Sequence, residues 1–94
     1  MTIRNLVLDI AVNFSRIGRF LVENRPSRAR QFTLEAKNQL NQLTRHELPQ
    51  PLNTPISKLL KLIDQMANDK WQNSDLAEDC FTWATILTHR ANLA

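Results

Sequence analysis

Apolar residues recur along the start of the chain at spacings of three and four. Ile3, Leu6, Val7, Ile10, Phe14, Ile17 and Leu21 fall on one stripe of a helix, with Ala11 and Gly18 at its edge. The spacing predicts a first helix over about residues 2–24. Pro26 closes it, because the residue before a proline avoids the α region. Gly18 weakens a helix, and at the edge of the stripe it lets a neighbouring helix come close.

A second helix follows over about residues 27–45. Ala29, Phe32, Ala36, Leu40 and Leu43 form its stripe, while Gln31, Glu35, Asn38 and Gln42 face away. The stretch HELPQPLNTP holds three of the four prolines and reads as an extended connector. Thr54 before Pro55 has the form of a helix start, a hydroxyl N-cap followed by proline at the first helical position. The third helix is therefore expected over about residues 55–70, with Ile56, Leu59, Leu60, Ile63, Met66 and Ala67 inward and Leu62 widening the face. DKWQNSD breaks the pattern. A fourth helix, about residues 75–92, opens with capping-box spacing between Asp75 and Glu78. Its stripe is Leu76, Cys80, Trp83, Ala84, Leu87 and Ala91.

No segment alternates as a strand would. The chain has a single glycine, which leaves it poorly equipped for the tight turns of an all-β fold. Four amphipathic helices of this length are marginal alone in water and must cover one another's stripes. The expected fold is all-α, an antiparallel four-helix bundle of up-down-up-down topology, forming a single domain over residues 1–94. It needs a short corner near Pro26, a longer connector around Pro49–Asn53 and a loop near Trp71. Composition agrees: 43% hydrophobic and 22% charged residues in a chain of 94 place it among globular domains.

Candidate chemistry is sparse. Cys80 lies within an apolar stripe, where a thiol is inert, and as the lone cysteine it cannot form an internal disulfide. The two histidines, His46 and His89, sit near a helix end and on a polar face. Glu78 and His89 share a face but lie eleven residues apart, about 16 Å along a helix, too far for a common ligand. One glycine cannot build a phosphate loop. Asp75, Glu78 and Asp79 gather where acids complement a helix dipole. The expectation is a protein that is not an enzyme, with no catalytic residues, no metal site, no cofactor and no small-molecule substrate.

Arg4, Asp9, Asn13, Arg16 and Arg19 interrupt every long apolar run near the start, which excludes a membrane span there. They also deny it the apolar core of a secretory signal, and Asp9 and Glu23 fit an organelle transit peptide poorly. A cytoplasmic location is expected.

Charge is unevenly placed. Residues 1–30 carry six arginines against Asp9 and Glu23, whereas residues 31–94 carry six Lys or Arg against seven acids. The net charge of +3 and the pI of about 9.6 thus trace to the first helix and the first corner. Arg16, Arg19, Arg25, Arg28 and Arg30 are the candidate partner- or anion-binding residues, since guanidinium forks suit phosphate and carboxylate alike. Three readings compete for them. As a merely solvated loop they are poorly explained, because basic residues in the first turn of a helix oppose its dipole. Nucleic-acid binding fits the pI and the cluster, but the net charge is small and no helix-turn-helix is present. A protein partner or a second copy fits a further feature: Leu8 and Val12, with Val22 further round, form a second apolar set on the first helix beside Arg19. Apolar residues beside arginine are the composition of interface cores. Leu34 and Phe81 also project from polar faces. Attachment of the first helix to a membrane surface ranks lower, since it would uncover the core. The expected function is a small helical protein-interaction or adaptor module that self-associates as a homodimer. Its contact surface would be the arginine-rich corner, with Leu8, Val12 and Val22 as apolar contacts; the alternative is binding of nucleic-acid phosphate.

Overall fold

Helix α1 spans Ile3–Val22. Thr2 starts it: the backbone there is extended, and the hydroxyl accepts a hydrogen bond from the Asn5 N–H at 3.1 Å, the ordinary N-cap. A Schellman turn ends it. The Asn24 N–H donates to the Leu21 carbonyl at 3.2 Å and the Arg25 N–H to the Phe20 carbonyl at 2.8 Å, while Asn24 takes the left-handed conformation with φ 57°. Pro26 does not merely stop this helix. It opens α2 (Pro26–Leu43) at the first helical position, where its missing N–H costs no intrahelical bond and its fixed φ already suits the helix.

The computed structural model describes residues 2–48, 50–67 and 74–93, and these add helices α3 (Gln50–Ala67) and α4 (Ser74–Leu93). The fold is all-α, with four helices and no strand among the described residues. The loop expected near Trp71 lies outside the described residues, as does the Asp75 side chain on which the expected capping box depends.

The expected start of the third helix at residue 55 is corrected. α3 begins five residues earlier, and Pro55 sits inside it. Proline there removes the bond that residue 55 would have made to the carbonyl of Pro51. The loss is offset by burial: Leu52 is fully buried, Ile56 nearly so, and Pro55 itself is buried. Leu52, Ile56, Leu59, Ile63 and Met66 form one unbroken stripe with spacings of three and four, so the apolar period outweighs the local start signal.

The core is built from the four stripes. Val7, Ile10, Phe14 and Ile17 of α1 are fully buried, and each such side chain stabilises the fold by roughly 1.5–3 kcal/mol. α1 packs against α4 and α2. Small residues of α1 face α4: Gly18 lies under the Phe81 ring, and Ala11 lines a groove with Ala84. α3 touches α2 and α4 less extensively, and no close backbone approach links α1 with α3 or α2 with α4. The helices therefore form a ring in chain order. At 35 × 21 × 21 Å, the long dimension matches the roughly 30 Å length of a 20-residue helix.

Candidate functional site

The corner between α1 and α2 is clamped by aromatic rings. Phe20 of α1 and Phe32 of α2 stack with centroids 5.6 Å apart and planes 5° from parallel. The Arg16 guanidinium lies 5.4 Å from the Phe32 centroid, and that of Arg19 lies 5.4 Å from the Phe20 centroid. Cation–π contacts run on from each ring, giving a chain of contacts Arg16–Phe32–Phe20–Arg19. Arg19 also reaches its own helix's Glu23 at 3.8 Å, an exposed pair that adds little stability.

Beneath this edge a polar bridge crosses the same two helices. Asn13 is 2% exposed, and its Nδ2 donates to Gln39 Oε1 at 2.7 Å; Arg16 Nη1 donates to Asn13 Oδ1 at 3.4 Å. A buried amide needs such partners.

Arg16, Arg19, Arg25, Arg28 and Arg30 are all exposed, but they do not form one patch. At about 100° per residue, Arg28 falls on the flank of α2 that also carries Phe32, whereas Arg30 falls on the opposite flank. That second flank is the one carrying Lys37, which pairs with Asp64 of α3 at 3.9 Å. Arg16, Arg19 and Arg28 therefore share the α1–α2 edge and Arg30 stands apart. Arg25 is the N-cap residue of α2 and makes no side-chain capping bond, and the first turn of that helix holds no acid. Arg28 Nη1 donates to Gln31 Oε1 at 3.5 Å.

The apolar candidates divide as well. Val12 is 48% and Val22 69% exposed. Leu8 does not stand out in solvent: it is half-buried and packs against the core, because its side of α1 turns toward the packed edge. Leu34 is exposed. Phe81 projects from α4 but lies across α1, where its ring leaves only 3.0 Å for a Cβ at Gly18. The glycine thus admits a ring as well as a helix. Beside Val12, a shallow groove of about 490 Å³ runs between α1 and α4, with Ser15, Thr85, Thr88 and His89 among its lining.

Cys80 is buried in the core as its stripe position implied. Burial, with the neighbouring Asp79 adding to it, pushes the thiol up to about 12, so it is neutral at any physiological pH. Among the described residues no three His, Cys, Asp or Glu side chains group as metal ligands, and no helix is long and apolar enough to cross a membrane. Sequence reasoning missed the Phe20–Phe32 stack and the Asn13–Gln39 bridge. The only signal for either was position: Asn13, Arg16 and Phe20 recur at three- and four-residue spacing on one flank of the α1 stripe. No family model matches the chain, and no curated protein or solved structure is significantly similar to it.

Proposed function

We propose that the protein is a non-enzymatic helical interaction module that self-associates through the outer side of α1 and the arginine-bearing edge beside it. The observation that carries this reading is the exposure of Val12 and Val22 on the same helix as the exposed Arg19. Apolar side chains next to arginine match the make-up of interface cores, where lysine and acids are depleted. The arginine distribution supports it too. Arg25 and Arg28 oppose the dipole of α2 rather than complement it, so their placement serves something other than the helix. The reading takes the bundle as antiparallel, up-down-up-down. Its support is that Asn13 meets Gln39 and Phe20 meets Phe32 between α1 and α2, while Arg4 meets Asn92 and Gly18 meets Phe81 between α1 and α4. In each pair of contacts, positions rise along one helix as they fall along the other.

Light scattering during size exclusion tests the proposal. The parent is expected to exceed its 10.9 kDa chain mass, and Val12→Glu is expected to lower the mass while the helical circular dichroism persists. A parent of monomer mass across the micromolar range rejects self-association.

A further inference from the structure

The edge between α1 and α2 carries guanidinium groups whose contacts inside the chain are few and long. Arg16 donates to Asn13 at 3.4 Å, Arg28 donates to Gln31 at 3.5 Å, and Arg19 stands 3.8 Å from Glu23. A guanidinium has five N–H donors in a planar fork, so most of the donors on this edge meet no acceptor among the described residues. Two of the groups are nevertheless held in place. Arg16 lies over the Phe32 ring and Arg19 over the Phe20 ring, and a ring face orients a guanidinium without using its N–H groups.

We infer that this edge binds the phosphodiester backbone of a nucleic-acid duplex, with Arg16, Arg19 and Arg28 as phosphate contacts and Arg25 at the corner end. The inference goes beyond self-association and does not need it, since Val12 lines the groove on the α4 side of the helix. Three observations carry it. The first is charge. Four exposed arginines stand at this end of the edge against the acids Glu23 and Glu35. Asp9, about 10 Å from Arg16 along α1, marks where the basic stretch ends. Screening at physiological salt acts over about 8 Å, so a docked phosphate responds to this local excess more than to the small net charge of the chain.

The second observation is polarity. The large apolar side chains exposed among the described residues are Val12, Val22, Leu34 and Phe81, and none lies on this edge. Val12 and Phe81 belong to the α1–α4 side, Val22 follows Gly18 by one turn onto that same side, and Leu34 is about 120° round α2 from Arg28. A protein partner or a lipid surface needs an apolar centre to hold, whereas interfaces with duplexes are polar and cationic. On α2 the edge continues from Arg28 through the exposed amides Gln31 and Asn38, side chains that bond phosphate and sugar oxygens. The third observation is that the aromatic faces are taken. Phe20 and Phe32 stack on each other and carry the two guanidiniums, so neither offers an open face to an unpaired base. A duplex keeps its bases stacked within itself and presents phosphates, which are met without a helix-turn-helix.

Fluorescence anisotropy with a labelled DNA duplex of about 20 base pairs at about 50 mM salt tests the inference. The parent is expected to bind, with the logarithm of its association constant falling against that of salt at a slope of about −3. Arg19→Gln with Arg28→Gln removes two contacts at exposed positions, and circular dichroism is expected to report an unchanged helix content. The slope is expected to become shallower by about two and the affinity to fall roughly tenfold or more. Arg28→Gln alone, clear of both rings, is expected to take about one from the slope. Lys58→Gln with Lys61→Gln removes the same charge from exposed positions on α3 and is expected to keep the parent's slope. A parent that does not bind at low salt overturns the inference. So does a lysine variant that loses as much as the arginine variant, since binding then follows overall charge rather than this edge. Tighter binding of the single strand overturns the duplex, and equal competition by poly-glutamate overturns phosphate in favour of an acidic peptide.

Discussion

Cys80 joins burial to pH dependence through one side chain. Its thiol is enclosed in the α4 stripe, and burial holds it protonated to about 12 against an ordinary value of 9.0. Between those values the unfolded chain gives up the proton and the native chain keeps it. The native state then binds more protons, so stability falls as pH rises through that window and is fully retained below it. The expected outcome is an alkaline loss of stability approaching about 1.4 kcal/mol per pH unit from this one group. Urea unfolding at stepped pH checks it: Cys80→Ala should flatten the slope above pH 9 by about one proton. Asn13 shows the other way of burying a polar group. It remains neutral, and Gln39 from the next helix together with Arg16 from its own satisfies it, so the bridge fixes the register of α1 on α2 without any dependence on pH.

At the scale of elements, the turn between α1 and α2 depends on a single left-handed residue. Asn24 occupies the position usually given to glycine, and asparagine tolerates it better than other side chains. Asn24→Gly should leave stability unchanged or raise it slightly, whereas Asn24→Val should cost about 1–2 kcal/mol, both read from urea midpoints. A Schellman end followed at once by Pro26 lets α2 start within three residues of the last turn of α1. The four helices were legible in the sequence because their inward stripes carry nearly all the large apolar side chains. The boundaries were less so. Thr54–Pro55 is a sound local start signal, but it was outweighed by the burial of Leu52 in the shared core. Likewise Pro26 reads from sequence as a stop, and only the geometry of the turn reveals it as a start.

Seen whole, the molecule separates what the chain writes side by side. Arg28 and Arg30 are two residues apart in sequence and on opposite flanks of α2, a consequence of helical pitch that was available once the helix was accepted. The stack of Phe20 on Phe32 was not, because it depends on which flank of α1 faces α2. On the outer side of α1, Leu8, Val12 and Val22 beside Arg19 stood out in the sequence, but the half-burial of Leu8 shows only once the helices are packed. The ring of helices is also uneven. α1 lies close along two neighbours, whereas α3 packs less extensively against its own. Amide hydrogen exchange should follow this asymmetry, with the α3 amides exchanging at least tenfold faster than those of the middle of α1 under native conditions. Equal protection along both would refute it.

The small-residue face between α1 and α4 has one more consequence. Because α2 and α4 do not approach each other, they are joined only through α1 on one side and the less extensively packed α3 on the other. Loosening α3 leaves three helices still joined in a row. Loosening α1 leaves α2 and α4 connected only through α3, the least closely held of the four, so damage to that one helix should dissolve the whole assembly in a single step.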